Sequence, residues 1–212
     1  LRLNLPTQNY NTSYEGGAGK KIPSWAIKWQ NSFRGTDISL QLFRGTSRNG
    51  STLPKLENGE IKYFAGYERI TQIGSFLQSI FGPIIFKFEG IRRNGQKNTL
   101  YERENYYSYI TGIEYVVTRP FDKIWDLNIF AEYSNDDRGS NSNDIFQNDL
   151  FIGTRINFND VQGTEFTQML TLDLNGDGNT GNLEISTRLK DSVRIAANYT
   201  SYWSVNSKDT LY

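Results

Sequence analysis

The sequence predicts an all-β fold, an antiparallel transmembrane up-and-down β-barrel of about twelve strands with about ten of them in this segment. Three observations predict it. Apolar and polar residues alternate with a period of two through most of residues 23–204, turn-forming residues separate the alternating runs, and short connections alternate with long ones.

The runs follow in order. Trp25, Ile27, Trp29 and Phe33 alternate with Ala26, Lys28, Gln30 and Ser32. After Arg34-Gly35-Thr36, Ile38, Leu40 and Leu42 oppose Ser39 and Gln41, which completes a hairpin. A polar stretch from about Gly45 to Glu68 reads as a long loop. Residues 70–81, the Gly82-Pro83 turn and residues 84–93 form a second hairpin, with Phe86 and Phe88 opposite Lys87 and Glu89. Beyond a loop near 94–104, Tyr107, Tyr109, Thr111, Ile113, Tyr115 and Val117 share one face. The turn at 119–123 leads to Trp125, Leu127, Ile129, Ala131 and Tyr133, opposite Asp126, Asn128 and Glu132. Residues 135–144 are so rich in Asn, Asp, Ser and Gly that they read as a loop too polar to pack. Leu150, Ile152, Thr154, Ile156 and Phe158 then face away from Asp149 and Arg155, and Phe166, Leu170, Leu172 and Leu174 away from Glu165. The last pair sets Leu183, Ile185 and Leu189 against Glu184 and Arg188, and Val193, Ile195, Ala197 and Tyr199 against Arg194.

Strands of this length suit a tilted bilayer crossing better than a soluble sandwich, whose strands are shorter. Trp25, Trp29, Trp125, Tyr107, Tyr133, Phe158, Phe166 and Tyr199 lie on the apolar faces, several near strand ends, where an aromatic girdle meets lipid headgroups. The opposite faces carry Lys28, Lys87, Glu89, Glu114, Asp126, Glu132, Asp149, Arg155, Glu165, Glu184, Arg188 and Arg194. These are the candidate lumen-facing charges, cross-linked between strands, and their mixed signs imply no strong ion selectivity. Membrane lipid and lipopolysaccharide are the expected partners, and the outer membrane of a Gram-negative bacterium the expected location.

Composition narrows the function. With 23 Lys+Arg against 23 Asp+Glu the chain carries no formal net charge, and no nucleic-acid partner is expected. The chain has no Cys and no His, which excludes a disulfide framework, thiolate or imidazole metal ligands, and histidine-base or cysteine-nucleophile catalysis. No enzymatic activity and no cofactor are therefore expected, and a lipid hydrolase with a His-based triad cannot be assembled from these residues. Five Pro against 19 Gly, with 13 Tyr, 13 Phe and 4 Trp, suit strands and polar turns. The mean hydropathy of −0.59 decides nothing, because alternating strands hide their apolar face in the average.

Several motifs carry weaker signals. Asp173, Asn175, Asp177 and Glu184 match the calcium-loop pattern D-x-[DN]-x-[DN]-G-x5-E, whose clustered oxygens would suit a hard cation, but the flanking segments alternate as strands rather than helices. Gly16-Gly17-Ala18-Gly19-Lys20-Lys21 lacks the phosphate-loop spacing and reads as a flexible loop. The sequons at Asn11, Asn49 and Asn198 read as chance. Glu114 and Glu132 would serve acid–base chemistry only if adjacent, and an interior salt-bridge network is the simpler role.

The whole of 1–212 reads as one β-barrel domain. Leu1 is not an initiator Met and the last residues are polar, so the chain reads as an internal segment, incomplete at both ends. Residues 1–22 are expected to be extracellular loop and 23–204 strands. Both ends would then lie outside the cell, and an even-stranded barrel with periplasmic termini needs at least one more strand on each side, hence about twelve.

Phe146-Gln147-Asn148-Asp149-Leu150-Phe151-Ile152-Gly153-Thr154-Arg155 and Asn159-Asp160-Val161-Gln162-Gly163-Thr164-Glu165 together resemble a family of largely uncharacterised proteobacterial outer-membrane β-barrel proteins. Phe86-Lys87-Phe88-Glu89, Gly112-Ile113-Glu114-Tyr115, Ala131-Glu132-Tyr133 and Leu183-Glu184-Ile185-Ser186 extend the resemblance over most of 23–204. It implies the compartment and a further strand ending in an aromatic residue after Tyr212, and it carries over no catalytic residues. Two functions fit: a passive pore for small solutes, or a non-transporting scaffold presenting loops 45–68 and 136–146 to a protein or surface polysaccharide.

Overall fold

The computed structural model describes residues 12–16, 22–57, 59–176 and 178–203. Its strands are β1 (Ser13–Tyr14), β2 (Trp25–Phe33), β3 (Thr36–Thr46), β4 (Ser51–Glu57), β5 (Glu60–Tyr67), β6 (Arg69–Phe81), β7 (Ile84–Lys97), β8 (Arg103–Thr118), β9 (Asp126–Asp136), β10 (Asn148–Asn157), β11 (Glu165–Asp173), β12 (Asn179–Lys190) and β13 (Val193–Trp203). Among the described residues the remaining regular structure is two single 3₁₀ turns, Pro120–Asp122 and Gly139–Asn141.

Ten strands form one antiparallel sheet in the order β13-β12-β11-β10-β9-β8-β7-β6-β3-β2, in which chain neighbours are spatial neighbours throughout except where β4 and β5 intervene. The up-and-down sheet of ten strands is thus as the alternation predicts. The sheet is open: β2 pairs only with β3 and β13 only with β12. The closed barrel expected from the sequence is therefore absent among the described residues, because two edge strands keep unpaired backbone groups.

Local chemistry explains the turns. Arg34 and Gly35 both hold positive φ, 48° and 79°, the type I′ geometry whose twist matches the flanking strands of β2–β3. Gly82, at φ 59°, opens the two-residue turn joining Phe81 to Ile84. The register is staggered. The row of paired residues that begins at Phe33, beside the β2–β3 turn, passes through Ser79, Phe86, Ile113, Ala131, Ile152, Leu170 and Gly181 to Ser201, near the opposite end of β13. Strands so staggered are tilted, as strands of barrels are.

Three expectations need correction at the end of the sheet that carries the longer connections. The polar stretch 45–68 is a hairpin, β4–β5, whose strand β5 pairs in parallel with β1, so residues 1–22 are not loop throughout. Ile61, Tyr63, Ala65 and Tyr67 do alternate with Glu60, Lys62 and Gly66 there, but the run lies within a stretch whose composition is that of a loop. The expected loop 94–104 is mostly strand: a bulge at Gly95, φ 94°, shifts the register between Asn94 and Gln96 and lets β7 and β8 continue to Lys97 and Arg103. As a result the alternation of connection lengths is weaker than predicted, since 98–102 and 174–178 are shorter than 119–125 and 158–164.

Glycine matters most at Gly153. A Cβ there would lie 2.4 Å from Phe130 Cζ and 2.6 Å from the Gln168 carbonyl oxygen, so the paired Phe130 ring lies across this position. Gly153→Ala is expected to destabilise the fold by about 1–3 kcal/mol, the usual cost of overpacking. Urea unfolding of the folded chain would measure it, and an unchanged midpoint would show that the ring moves aside freely.

Candidate functional site

Residues paired across an antiparallel ladder share a face, so the register assigns every strand residue to one of two surfaces. One surface carries Trp25, Ile27, Trp29, Ile38, Leu40, Leu42, Ile113, Ile129, Ile152, Leu170, Ile185, Ile195 and Tyr199. It is open to the surroundings: Ile27 is 66% exposed and Tyr199 65%. The other surface carries all twelve candidate charges, Lys28, Lys87, Glu89, Glu114, Asp126, Glu132, Asp149, Arg155, Glu165, Glu184, Arg188 and Arg194. The buried residues sit mainly there, and they are polar: Ser134, Asp136, Asp149, Thr171 and Ser186. Buried apolar side chains among the described residues are only Ile70 and Tyr106. A water-soluble sheet has the reverse distribution.

The charges are linked across strands. Lys87 Nζ donates to Glu114 Oε2 at 2.8 Å, and Arg194 Nη2 donates to Ser186 Oγ at 2.7 Å and Glu165 Oε2 at 3.2 Å. Arg194 stands directly opposite Arg188, and reaching away to Glu165 relieves that like-charge contact. Asn159 Nδ2 donates to Asp126 Oδ2 at 2.8 Å. Glu132 lies beside Gly112, where a Cβ would come within 2.7 Å of its Cγ. Glu114 and Glu132 are not a directly opposed pair, and Glu114 is engaged by Lys87.

The densest polar cluster lies on this face at the end where β4–β5 and the 137–147 connection meet. Arg138 binds Asp136 bidentately, Nε to Oδ1 at 2.9 Å and Nη2 to Oδ2 at 2.6 Å, and Ser142 Oγ donates to the same carboxylate at 2.9 Å. The Arg138 and Asp136 side chains are 6% and 1% exposed. Burial alone would lower the Arg138 pKa, but the Asp136 hydrogen bonds outweigh it and hold the guanidinium proton above its ordinary strength. Arg138 stacks 3.5 Å from the Tyr106 ring centre and Arg93 lies 5.9 Å from it, so two guanidiniums bracket one ring. Arg93 Nε donates to Gln72 at 2.8 Å. Next to them Gln96 links Ser47, which donates to it at 2.8 Å, with Glu68, which accepts from it at 2.9 Å. Arg93, Gln96, Tyr106, Asp136 and Arg138 line a cavity of about 200 Å³, with Asn49, Ile91, Ser108 and Asn143 among its other walls.

Two further contacts tie the connections together. The Thr99 amide donates to the Asn141 carbonyl at 3.0 Å and Asn143 Nδ2 to the Lys97 carbonyl at 2.7 Å. Residues 135–144, expected to be too polar to pack, are therefore tied down by polar bonds and by the stacking of Arg138 on Tyr106, and Phe146 just beyond them packs edge-on against Phe151. Sequence reading missed Arg93, Tyr106, Asp136 and Arg138. The signal for Tyr106 was available, since extending the alternation one residue before Tyr107 puts Tyr106 on the charged face. Asp136 and Arg138 gave no such signal, because their pairing depends on how the connection folds back.

Glu15, beside β1, accepts the Arg69 amide at 2.7 Å and pairs with Arg103. Partial burial would raise its pKa, but the Arg69 amide and the Arg103 guanidinium outweigh that and hold the carboxyl below its ordinary 4.5. A depressed carboxyl contributes stability above its unfolded pKa and loses it as pH falls through the folded value. Acidification below about 4.5 is therefore expected to loosen the β1–β5 pairing, speeding amide exchange at Glu15, whose N–H donates to the Tyr67 carbonyl at 2.9 Å. Glu15→Gln should remove this acid dependence, and an unchanged exchange profile would refute the linkage.

The calcium-loop residues are not brought together. Asp173 Oδ1 accepts the Asn175 and Gly176 amides at 2.8 and 2.9 Å, and Asn175 Oδ1 accepts from Asn148 at 2.7 Å. Glu184 pairs with Thr167, six positions along β11 from Asp173, about 20 Å away at strand rise. Asp177 lies outside the described residues, as do residues 17–21 of the glycine-rich loop and Asn11. Asn198 lies on the polar face, its Oδ1 accepting from Asn182 and Thr200.

Comparison with protein-family models, with curated proteins and with solved structures finds no match for this chain.

Proposed function

We propose that the chain forms most of a transmembrane β-barrel in the outer membrane of a Gram-negative bacterium and acts as a passive pore for small solutes. The observation that carries this reading is the inversion of the two faces: apolar side chains exposed on one, charged and polar side chains gathered and partly buried on the other. Lipid is the solvent in which an exposed face of Ile, Leu, Trp and Tyr is favourable. In lipid an unpaired sheet edge is not tolerated, so β2 and β13 must both be covered. The two edges run in opposite directions, and about twelve strands, with further pairing at β2 and β13, would close the barrel with an even count. Membrane lipid and lipopolysaccharide are its partners in this reading, and the resemblance to largely uncharacterised proteobacterial outer-membrane barrels agrees with it.

The scaffold function has one observation in its favour. The β1-β5-β4 sheet and the bonded 98–102 and 137–147 connections give the same end of the molecule an ordered surface that a partner could read.

Conductance separates the two. The full-length protein, first shown to migrate in a heat-modifiable way on a gel, would be inserted into a planar bilayer. Stepwise conductance with weak ion selectivity is expected for the pore, given the mixed charges of its polar face. An inserted but silent protein would overturn the pore and leave the scaffold.

A further inference from the structure

The apolar face changes character at the end of the longer connections. Arg44 on β3 and Arg92 on β7 both belong to that face: Arg44 pairs with Trp25 and Thr71, and Arg92 with Ile73 and Tyr107. Both are exposed, and neither has a carboxylate within 4.0 Å among the described residues. The Arg92 guanidinium lies 5.3 Å from the Tyr107 ring centre, which steadies it against the sheet. The Arg44 row continues through Thr71 and Asn94 to Asn105, two residues from Arg92 along β7 and its neighbour, so the two Arg Cα atoms are about 12 Å apart. The next residues toward the opposite end, Ile27, Leu42 and Ile73, then Trp29 and Leu40, begin the apolar band. Two guanidiniums without a carboxylate partner among the described residues therefore stand at the rim of the apolar band, Arg92 in its first row and Arg44 one row beyond.

We infer that Arg44 and Arg92 form a docking surface for the phosphate groups of a phosphorylated glycolipid. This rests on the reading that the apolar face contacts lipid. A guanidinium binds a phosphate through two parallel hydrogen bonds and is less strongly hydrated than an ammonium, which suits it to the headgroup layer. Two such groups, at this separation and on long side chains, match a headgroup bearing two phosphates better than one bearing a single charge. Thr71, on the strand between those of Arg44 and Arg92, offers a hydroxyl to the sugar between the phosphates, and Asn105, on the strand beyond Arg92, an amide to its far side.

The test uses the full folded chain in mixed micelles, with diphosphoryl lipid A as probe, phosphatidylcholine as the neutral reference and inorganic phosphate as competitor. Lipid A is expected to bind at least tenfold more tightly than phosphatidylcholine, and the double variant Arg44→Gln, Arg92→Gln to lose that tenfold preference. Arg119→Gln, in the turn at the other end, should keep it. Equal binding of lipid A and phosphatidylcholine by a chain that still inserts would overturn the docking surface alone, as would a double variant that retains the preference. Displacement of lipid A by an equal concentration of inorganic phosphate would also overturn it, since a free anion would then be the ligand. A chain that enters neither lipid would instead overturn the membrane reading beneath it.

Discussion

Asp136→Ala is expected to destabilise the folded chain by about 3–5 kcal/mol, because it strands the Arg138 guanidinium in a site where that side chain is 6% exposed. The carboxylate accepts from the Arg138 amide, Arg138 Nε, Arg138 Nη2 and Ser142 Oγ, so four donors lose this acceptor at once. None of them can turn readily to water, and Tyr106 blocks one face of the guanidinium. The cost comes from an uncompensated buried charge rather than from the attraction of the pair, which gives the prediction a second arm. Removing both partners together, Asp136→Ala with Arg138→Met, should recover most of the loss, since an uncharged pair of similar volume leaves no orphan. Urea unfolding in detergent would supply both values. A loss under about 1 kcal/mol for Asp136→Ala would mean that water reaches the cluster and that the 137–147 connection is not held by it.

Ile113→Arg is expected to cost about 2–4 kcal/mol if the apolar face meets a bilayer, and within about 0.5 kcal/mol of nothing if it meets water. Ile113 is 51% exposed and sits midway along the apolar run of β8, in a row with Phe86, Ala131 and Ile152. An exposed aliphatic residue on a soluble protein tolerates such a change, whereas the middle of a hydrocarbon layer does not. Val161→Arg supplies the control, because Val161 lies in the 158–164 turn and is 97% exposed, and it should change little in either setting. Both variants would be unfolded from lipid vesicles with urea. Equal, negligible effects would remove the physical basis of the membrane reading.

Much of this architecture was legible before any coordinates. Alternation located the ten strands of the large sheet, and because a strand's side-chain period is two, it also assigned all twelve charges to a single face. A register slip of one residue would have reversed that assignment, and the observed ladders shift only past the Gly95 bulge and between Arg188 and Lys190 at the end of β12, beyond the twelve charges in both cases. The bulge was not legible, since Gly95 sits in a polar stretch, Arg92-Arg93-Asn94-Gly95-Gln96-Lys97, that composition reads as loop. Strands β4 and β5 escaped for a related reason: the alternation of Ile61, Tyr63, Ala65 and Tyr67 is confined to one of the two strands and embedded in a polar stretch.

The polar cluster around Asp136 lay further out of reach. Asp136 and Arg138 are close in sequence, but Ser142, Tyr106, Arg93 and Gln72 join them only through ladders and a folded-back connection. Nothing local marks Tyr106 as a ring held between two guanidiniums.

Sequence by itself determined the all-β class, the ten strands of the large sheet and which of their residues share a face, because these follow from the two-residue period of an extended chain and from turn chemistry at known positions. Only the tertiary structure decided that the sheet keeps two open edges, that β7 and β8 run on past a bulge, and that Asp136, Arg138 and Tyr106 close into one buried cluster. Those features depend on pairing between distant segments and on the desolvation of charges, which no local pattern encodes.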